Sequence, residues 1–433
     1  MKRVAVIGGG IAGLGAAWHL EADHRVTLFE AAPVFGGHAH TVDVTLDGVT
    51  AGVDTGFLVF NDRTYPRLRR LFAELGVPTA EADMSFSVQA PGLEWSGSHL
   101  GTVFAQPRNL VRPAFWAMLA DIARFNRLAS AMAVAGVEDE LAMPVAEFLD
   151  RHAFGRSFRD WYFLPMIGCI WSCPTDQMLR FPIATLIRFC HNHGLLQVTQ
   201  RPQWRTVRGG SRQYVQRMLR GLRDARAAMP VRSVRRDPQG GVRVATDRGS
   251  EWFDEVILAC HSDQALTLLA DARPDERAVL GAIRYQPNLA VLHTDAAVLP
   301  QRRRAWAAWN YVRGTPAEAE SGRVCLHYLI NRLQPLPWRR PVLVSLNPPT
   351  ARAPDPRQVL GCYDVSHPVF DQAAIAAQRQ LPRLQGRNGV WFCGAWTGYG
   401  FHEDGLASAL EVVQRLRALA GQARLPAAAA EPA

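Results

Sequence analysis

The first thirty residues alternate between apolar runs and turn-forming residues, in a spacing that predicts a strand, a helix and a second strand. Arg3 to Ile7 is a short apolar run, which is typical of a parallel strand buried on both faces. Glycines follow, and Ile11 to Leu20 is apolar and rich in helix-forming residues. Arg25 to Glu30 again has the pattern of a buried strand. The chain therefore opens with a predicted β-α-β unit.

Later segments show other patterns. A helix is expected from about Arg67 to Ala73. Residues 107 to 200 look mostly helical, with prolines expected to break the helices at positions 113, 144, 165, 174 and 182. Strand-like runs on both sides of Pro238-Gln239-Gly240-Gly241 predict a hairpin, and residues 280 to 370 look strand-rich. Buried strands are predicted at Glu255 to Cys260 and Val390 to Cys393, and a last helix from Gly405 to about Leu419.

A glycine motif joins the first strand to the first helix and indicates dinucleotide binding. It consists of Gly8, Gly9, Gly10, Ile11, Ala12 and Gly13 and matches G-x-G-x-x-G. In this motif the first glycine permits a tight turn, the second lets a pyrophosphate approach the backbone, and the third lets helix and strand pack closely. Glu30 ends the second strand, where an acid is expected to accept hydrogen bonds from the adenosine ribose.

The segment after Glu30 distinguishes between cofactors. It reads AAPVFGGH, from Ala31 to Gly36, Gly37 and His38, and resembles the flavin amine oxidases, phytoene desaturases and protoporphyrinogen oxidases. In those proteins a Gly-Gly pair and a polar residue lie near the flavin phosphates. The resemblance implies that FAD is the cofactor, and that His38 stands where an arginine is commoner.

Two internal segments extend this resemblance. Asp54 to Asn61 resembles the next flavin-facing segment of the family, which implies cofactor contacts for Gly56, Phe57 and Leu58. Val231 matches the position whose backbone holds the adenine. Ala259 lies at the end of the matching return strand.

The C-terminal segment carries a second strong match, Gly389 to Gly394 and then Gly405 to Ala409. The resemblance implies that the last helix points its N-terminus at the pyrimidine end of the flavin, where a helix N-terminus stabilises negative charge. Many relatives have an acid after the glycine where this chain has Ala395, so the ribityl hydroxyls must be held otherwise. The implied contacts are Gly394, Ala395, Trp396, Gly405, Leu406 and Ala407.

The insert Trp396 to Asp404 is long and aromatic and resembles a bacterial subgroup of predicted NAD/FAD-binding proteins associated with fatty-acyl modification. If the helix begins at Gly405, His402 and Glu403 lie beside the flavin and are candidate acid/base groups. Glu403 and Asp404 are equally compatible with capping the helix. The sequence leaves both interpretations open.

The motifs lie at both ends of the chain and near its middle, which predicts a discontinuous cofactor domain. The expected fold class is α/β, α+β overall, with a Rossmann-like FAD-binding domain and a mixed-sheet and helical substrate domain. We assign residues 1–75, 200–270 and 385–425 to the cofactor domain and 76–199 and 271–384 to the substrate domain. Residues 426–433 are expected to be a disordered tail.

Composition narrows the list of partners. Lys and Arg total 48 and Asp and Glu 39, a net charge of +9, which favours anionic partners such as a phosphate or an acidic membrane surface. Basic residues are not clustered with aromatics as in nucleic-acid-binding proteins, so no nucleic acid is expected. The seven cysteines have neither disulfide nor zinc-site spacing, so no metal is expected. We expect a cytoplasmic protein, peripheral to the inner membrane where it contacts lipid.

Lysine usage bears on the reaction. Lys2 is the only lysine, and it begins the first strand. Oxygen-using amine oxidases of the family usually place a lysine against the flavin, and an arginine stays protonated and is not an equivalent proton carrier. The leading hypothesis is therefore an FAD-dependent oxidoreductase of the dehydrogenase or desaturase type, acting on an apolar, fatty-acyl or lipid substrate. The alternatives are a flavin amine oxidase, and a non-redox lipid carrier or isomerase on the same scaffold.

Overall fold

The computed structural model of the chain describes residues 1–136, 143–171, 175–197, 201–313 and 324–422. The expected break at Pro174 and the tail at 426–433 lie outside the described residues. The α-helices span Ile11–Leu20, Pro66–Glu74, Leu100–Val103, Pro113–Ala135, Val145–Arg151, Arg156–Phe158, Leu164–Trp171, Thr175–Met178, Ile183–Asn192, Arg212–Leu219, Ser262–Leu268, Pro274–Gly281, Ile330–Leu333, Gln372–Gln380 and His402–Gln422.

Five parallel strands form the sheet that positions the glycine motif, named here the cofactor sheet. The first two strands and the first helix have the predicted residues, apart from Glu30, which follows the second strand. Apolar side chains of these strands are buried on both faces, as the uninterrupted hydrophobic runs predict. In spatial order the strands are Ala225–Arg226, Arg25–Phe29, Arg3–Ile7, Glu255–Leu258 and Val390–Phe392.

A three-stranded antiparallel sheet is inserted into the chain before the fourth of these strands. Its strands are Val231–Arg236, Val242–Thr246 and Gly249–Phe253. The first pair forms the hairpin that the Pro-Gln-Gly-Gly turn predicts. Two smaller sheets pair Thr41–Leu46 with Val49–Asp54, and Trp204–Val207 with Phe60–Asn61 and Thr79–Glu81.

A seven-stranded sheet faces the other side of the central cavity. It is antiparallel except for one parallel pair, between Phe86–Ala90 and Trp309–Val312. Side chains alternate between its two faces, so Val344 and Leu346 line the cavity whereas Ser345 between them is fully buried on the opposite face. In spatial order the strands are Val359–Val369, Arg284–His293, Leu343–Leu346, Cys325–Leu329, Trp309–Val312, Phe86–Ala90 and Leu93–Ser96.

The helices between Pro113 and Asn192 form a helical layer with an aromatic core, in which Phe125 contacts the rings of Phe148, Phe158 and Phe163. Prolines begin helices at 113, 144 and 182, as expected. The break expected at Pro165 does not occur. A π-helical turn at Arg159–Phe163 precedes it, and this wider turn accommodates a proline that the regular ladder would exclude.

The described part of the chain has no helix that is both long enough and apolar enough to cross a membrane.

Candidate functional site

A cavity of about 860 Å³ is lined by residues of the cofactor sheet and of the seven-stranded sheet. Residues from most of the predicted cofactor segments meet along it. Among the predicted residues, the cavity is lined by Gly8, Gly9, Gly10, Ile11, Ala12, Glu30, Ala31, Gly37, His38, Gly56, Phe57, Leu58, Val231, Ala259, Gly394, Ala395, Trp396 and His402.

The glycine motif is shaped as a cradle. Gly8 has φ +111°, and a Cβ there would lie 2.8 Å from the carbonyl oxygen of Ala259. A Cβ at Gly13 would overlap the carbonyl oxygen of Gly8. In contrast, a Cβ at Gly10 would meet no atom within 4 Å, because that position opens into the cavity. Gly10 is the N-cap of the helix that begins at Ile11, and no described side chain caps its first amides.

The second glycine pair closes one side of this cradle. Gly36 forms an isolated parallel bridge with Gly10, and its N–H donates to the carbonyl of Gly9 at 2.8 Å. Gly37 then lies against the Cα of Gly10. Two motifs about 26 residues apart in the sequence therefore build one binding surface, and Gly36 supports it without lining the cavity.

Two polar side chains, Glu30 and His38, face this surface. Glu30 accepts from the N–H groups of Gly9 at 2.6 Å and Ala32 at 2.7 Å, so its carboxylate is held at the strand end. Burial, together with the nearby imidazole of His261, lowers the pKa of His38 to about 4. The Nε2 atom of His38 has no hydrogen-bond partner among the described residues. It is therefore available to a ligand in the cavity.

The last helix begins earlier than the sequence predicts, at His402 and not at Gly405. Asp404 accepts the N–H of Phe401 at 2.9 Å, so its carboxylate caps the first turn and extends the helix toward the cavity. Burial raises the pKa of Asp404 to about 6. The Asp404 carboxylate therefore caps the helix, as one interpretation of the sequence proposed.

His402 lies in the wall of the cavity. Its ring stacks on Phe57 with a centroid separation of 3.8 Å, and its Nε2 lies 3.1 Å from the hydroxyl of Tyr214. Burial, with a smaller effect of His38, lowers the pKa of His402 to about 3, so the imidazole is neutral near pH 7. Its hydrogen-bond partner Tyr214 is also fully buried, and burial raises the pKa of that phenol.

Glu403 does not face the cavity, which corrects the expectation that it lies beside the flavin. Its two carboxylate oxygens accept the N–H groups of Arg67 and Leu68, each at 3.0 Å, at the start of the helix Pro66–Glu74. Glu403 thus caps a neighbouring helix, because consecutive side chains of a helix point in different directions.

Three further predicted contacts lie behind the cavity wall. Gly405 lets the last helix approach Ile11 and Ala395 closely, and Leu406 is fully buried against Gly15 in the interface between the first and last helices. Ala407 is half-buried and does not line the cavity. These residues support the cradle through packing, which corrects the expectation of direct contact.

Beyond the glycine cradle the cavity has an apolar part, and the sequence alone left open whether residues 107–200 line such a space or only form a core. Here it is lined by side chains of the helical layer and of the seven-stranded sheet. The individual side chains could not be predicted because they come from seven separate segments without a shared motif. They include Met84, Phe86, Met166, Cys169, Ile170, Trp171, Phe189, Leu195, Trp309, Tyr328, Val344, Leu346, Val365 and Phe370.

Charge is nearly absent from this apolar part. Three of the described residues that line the cavity carry a carboxylate or guanidinium group: Glu30, Arg232 and Asp263. All three come from cofactor segments. His193 and His367 also line it, and burial lowers their pKa to about 4 and about 3, so both are neutral at pH 7. The lysine ammonium of Lys2 instead pairs with Glu255 at 2.7 Å.

The residues present fit FAD. The open position at Gly10, the free amides of the helix that begins at Ile11, the carboxylate of Glu30 and the unpartnered Nε2 of His38 offer the contacts that a ribose and a pyrophosphate require. Among the described residues, no group of three or more His, Cys, Asp or Glu is arranged to hold a metal ion.

Comparison with known proteins agrees with this geometry. Residues 11–306 match the model of the flavin-containing amine oxidoreductases. This match covers more than half of the chain, and the chain therefore belongs to that family. Its membership confirms the predicted family resemblance, FAD as the cofactor, and the class of FAD-dependent oxidoreductases.

A curated protein resembles the chain along much of its length. The chain is 31% identical over 322 residues to the carotenoid phi-ring synthase of Streptomyces griseus, covering 69% of this chain and 59% of that protein. The chain thus spans less than two-thirds of the length of this curated relative.

Solved structures of other proteins share the fold. The CLA-producing fatty acid isomerase from P. acnes is 16% identical, with a TM-score of 0.67 over 96% of this chain and 98% of that chain. Cyclohexylamine oxidase from Brevibacterium oxydans IH-35A is also 16% identical, with a TM-score of 0.65 over 96% and 99%. These similarities confirm the predicted fold class.

Proposed function

We propose that the protein is an FAD-dependent dehydrogenase or desaturase whose substrate is an apolar, lipid-like molecule, such as a fatty-acyl chain or another long hydrocarbon. The observation that carries this proposal is the apolar part of the cavity, which continues directly from the glycine cradle. The names of two similar proteins, a carotenoid phi-ring synthase and a fatty acid isomerase, support the same substrate class.

The lining of the cavity favours an apolar substrate over an amine. Burying an ammonium group is costly unless an acidic side chain pairs with it. The acids among the described lining residues, Glu30 and Asp263, belong to cofactor segments, and the apolar part supplies none. Lys2 is held in its ion pair with Glu255 at the start of the first strand and does not line the cavity.

The residues divide the work of such a reaction. Bound FAD supplies the hydride acceptor for oxidation of a carbon–hydrogen bond. The side chains of Met166, Ile170 and Leu346 bind the hydrocarbon and exclude water. His402 lines the cavity and is neutral near pH 7, so its imidazole can accept the proton that the substrate releases and start its path out of the cavity. The hydroxyl of Tyr214, 3.1 Å away, is the next group along that path.

The proposal is tested with the purified yellow holoprotein under anaerobic conditions. Fatty acids, polyenes and short-chain amines are mixed with it separately, and loss of the visible flavin absorption is followed. We expect bleaching by at least one apolar compound and none by amines. Rapid bleaching by amines alone would contradict the proposal and favour the amine oxidase hypothesis. A product formed from a lipid without any electron acceptor would instead favour the isomerase hypothesis.

Two variants connect the result to the cavity. Ile170→Asn places an amide in the apolar part and should slow reduction by the active lipid at least about tenfold, whereas Ile170→Leu should stay within a fewfold of wild type. His402→Phe keeps an aromatic ring against Phe57 but removes Nε2, and should slow reduction while the protein stays yellow.

We further propose that the protein meets its substrate at an anionic membrane, to which it binds peripherally. The net charge of +9 supports this part of the proposal, and salt would weaken the attraction.

A further inference from the structure

Four large apolar side chains are exposed close together in the sequence, at the edge of the helical layer. Leu100 is 77% exposed, Leu110 52%, Val111 83% and Trp116 50%. We name these four residues the apolar patch. Single exposed apolar side chains are common on folded proteins, but a cluster of large ones marks an interaction surface.

Local contacts hold the patch together as one surface. The indole N–H of Trp116 donates to the carbonyl of Leu110 at 2.9 Å, and the ring of Trp116 lies 5.5 Å from that of Phe104. Trp116 belongs to the helix Pro113–Ala135, whose Phe115 and Met118 are fully buried. Because those two side chains fix the inner face of the helix, Trp116 must face outward.

The surroundings of the patch are basic. From Trp95 to Ala120 the chain contains no acidic residue, and Arg108 and Arg112 both lie within this stretch. Residues 296–313 also contain none. Their turn Arg303–Ala305 packs beside the helix Leu100–Val103, which brings Arg303 and Arg304 next to the patch. The neighbouring Glu94 is buried and accepts the N–H groups of Gln301 and Arg302.

We propose that the apolar patch and its arginines dock the protein on an anionic lipid bilayer. Exposed Leu, Val and Trp side chains enter the boundary between headgroups and acyl chains, and arginines contact anionic headgroups. Two stretches that contain arginines and no acidic residue, 95–120 and 296–313, complement a negatively charged surface and disfavour contact with a second copy of this positively charged chain. The inference deepens the membrane contact of the proposed function by assigning it to named residues.

The position of the patch suits a lipid substrate. The inner face of the helix that carries Trp116 packs, through Phe115 and Met118, in the same hydrophobic cluster as Cys169. Cys169 lines the apolar part of the cavity. The helix that carries Trp116 and the wall of the cavity therefore share one hydrophobic cluster.

Vesicle co-sedimentation tests the proposal with the holoprotein and needs no turnover. Wild type should bind vesicles of phosphatidylcholine with about 30% phosphatidylglycerol at low salt, and should bind pure phosphatidylcholine more weakly. Leu100→Ser combined with Val111→Ser should lower the partition coefficient at least about tenfold, because two exposed apolar side chains are lost. Arg304→Glu should lower it at least about fivefold at low salt and less at high salt.

The matched control is Val49→Ser, an exposed valine in a hairpin outside the patch, which should bind as wild type. The visible flavin spectrum of each variant checks that it is folded. Equal vesicle binding by the wild-type protein and the double serine variant would overturn the proposal. Failure of the wild-type protein to bind anionic vesicles would overturn it as well. A dimer in solution that the double variant dissociates, without vesicle binding, would assign the patch to a second copy. None of these outcomes depends on which compound reduces the flavin, so failure here leaves the proposed reaction untouched.

Discussion

At the scale of single residues, Gly8 and Gly10 lack a side chain for different physical reasons. Gly8 adopts φ +111°, a conformation that side chains rarely permit, so its replacement strains the backbone. Gly10 has φ −76° and ψ −175°, which any residue adopts, and the space above it is open. The first glycine therefore serves the fold, and the second leaves room for the cofactor.

This difference predicts that Gly10→Val folds normally but does not retain FAD. A valine at this position fits the backbone and projects into the cavity, so affinity for FAD should fall at least about a hundredfold while the unfolding midpoint of the apoprotein changes little. Titration of the apoprotein with FAD and thermal unfolding measure the two effects.

Two other glycine variants serve as controls for this prediction. Gly281→Val, where a Cβ meets Leu266 at an ordinary 3.6 Å, should keep its FAD. Gly8→Val should unfold or fail to accumulate. A yellow Gly10→Val protein with wild-type affinity would contradict our assignment of the cradle.

At the scale of secondary-structure elements, Glu403 shows how the last helix is fastened to the rest of the protein. It is almost fully buried and accepts two backbone N–H groups of the helix Pro66–Glu74, in addition to a longer ion pair with Arg67 at 3.4 Å. A carboxylate at a helix N-terminus satisfies amides that have no partner inside the helix and interacts favourably with its dipole.

Glu403→Ala should therefore destabilise the protein by roughly 2 kcal/mol, because two N–H groups at the start of a helix, of which that of Leu68 is buried, lose their acceptor. Glu403→Gln keeps one acceptor and should cost less. Glu411→Ala, on the exposed side of the same helix, should change stability by less than about 0.5 kcal/mol although it breaks an ion pair with Arg415. Urea unfolding measures all three. A Glu403→Ala protein as stable as the Glu411→Ala protein would show that this cap is not structural.

At the scale of the whole molecule, buried histidines link stability to pH. His293 and His327 are fully buried behind the seven-stranded sheet, and both lie within 2.6 Å of the hydroxyl oxygen of Ser345. The N–H of Asp295 donates to His293 Nδ1 at 3.1 Å, so Nε2 of His293 carries the proton and donates to Ser345. The hydroxyl of Ser345 is then free to donate to Nδ1 of His327.

Burial lowers the pKa of His293 to about 4 and that of His327 to about 3. In the unfolded chain a histidine takes up a proton below about pH 6.5, whereas these two resist it in the folded state. Their contribution to stability is therefore complete above pH 6.5 and is lost as the pH falls toward 4. Each histidine adds about 1.4 kcal/mol per pH unit to the slope of stability in that window.

We expect His327→Asn to reduce this slope by about 1.4 kcal/mol per pH unit, which corresponds to one proton. Asparagine places an acceptor where Nδ1 was but does not titrate. Urea unfolding at several pH values between 4.5 and 7 measures it. Asp54, whose pKa burial raises to about 6, acts in the opposite direction, since its stabilising effect falls as the pH rises through 6. It is present in both proteins and cancels in the comparison. An unchanged slope would contradict the lowered pKa of His327.

Much of the cofactor half could be predicted from the sequence by itself. The helix Ile11–Leu20 and the strand Arg3–Ile7 have the predicted ends, and Gly8 has the backbone conformation that the motif requires. These features depend on local sterics and on the composition of a buried parallel strand, both of which neighbouring residues determine. The same local signals, supported by family resemblance, were enough to indicate FAD.

Only the tertiary structure decided which side chains meet. Glu403 caps a helix 336 residues away in the chain, which no local pattern reveals. The early start of the last helix depends on how Asp404 turns back to Phe401. The apolar part of the cavity, and the apolar patch with the arginines beside it, are assembled from segments that share no motif. Long-range packing decides which way these side chains point, because a side chain faces a cavity or solvent according to what covers the opposite face of its helix or strand.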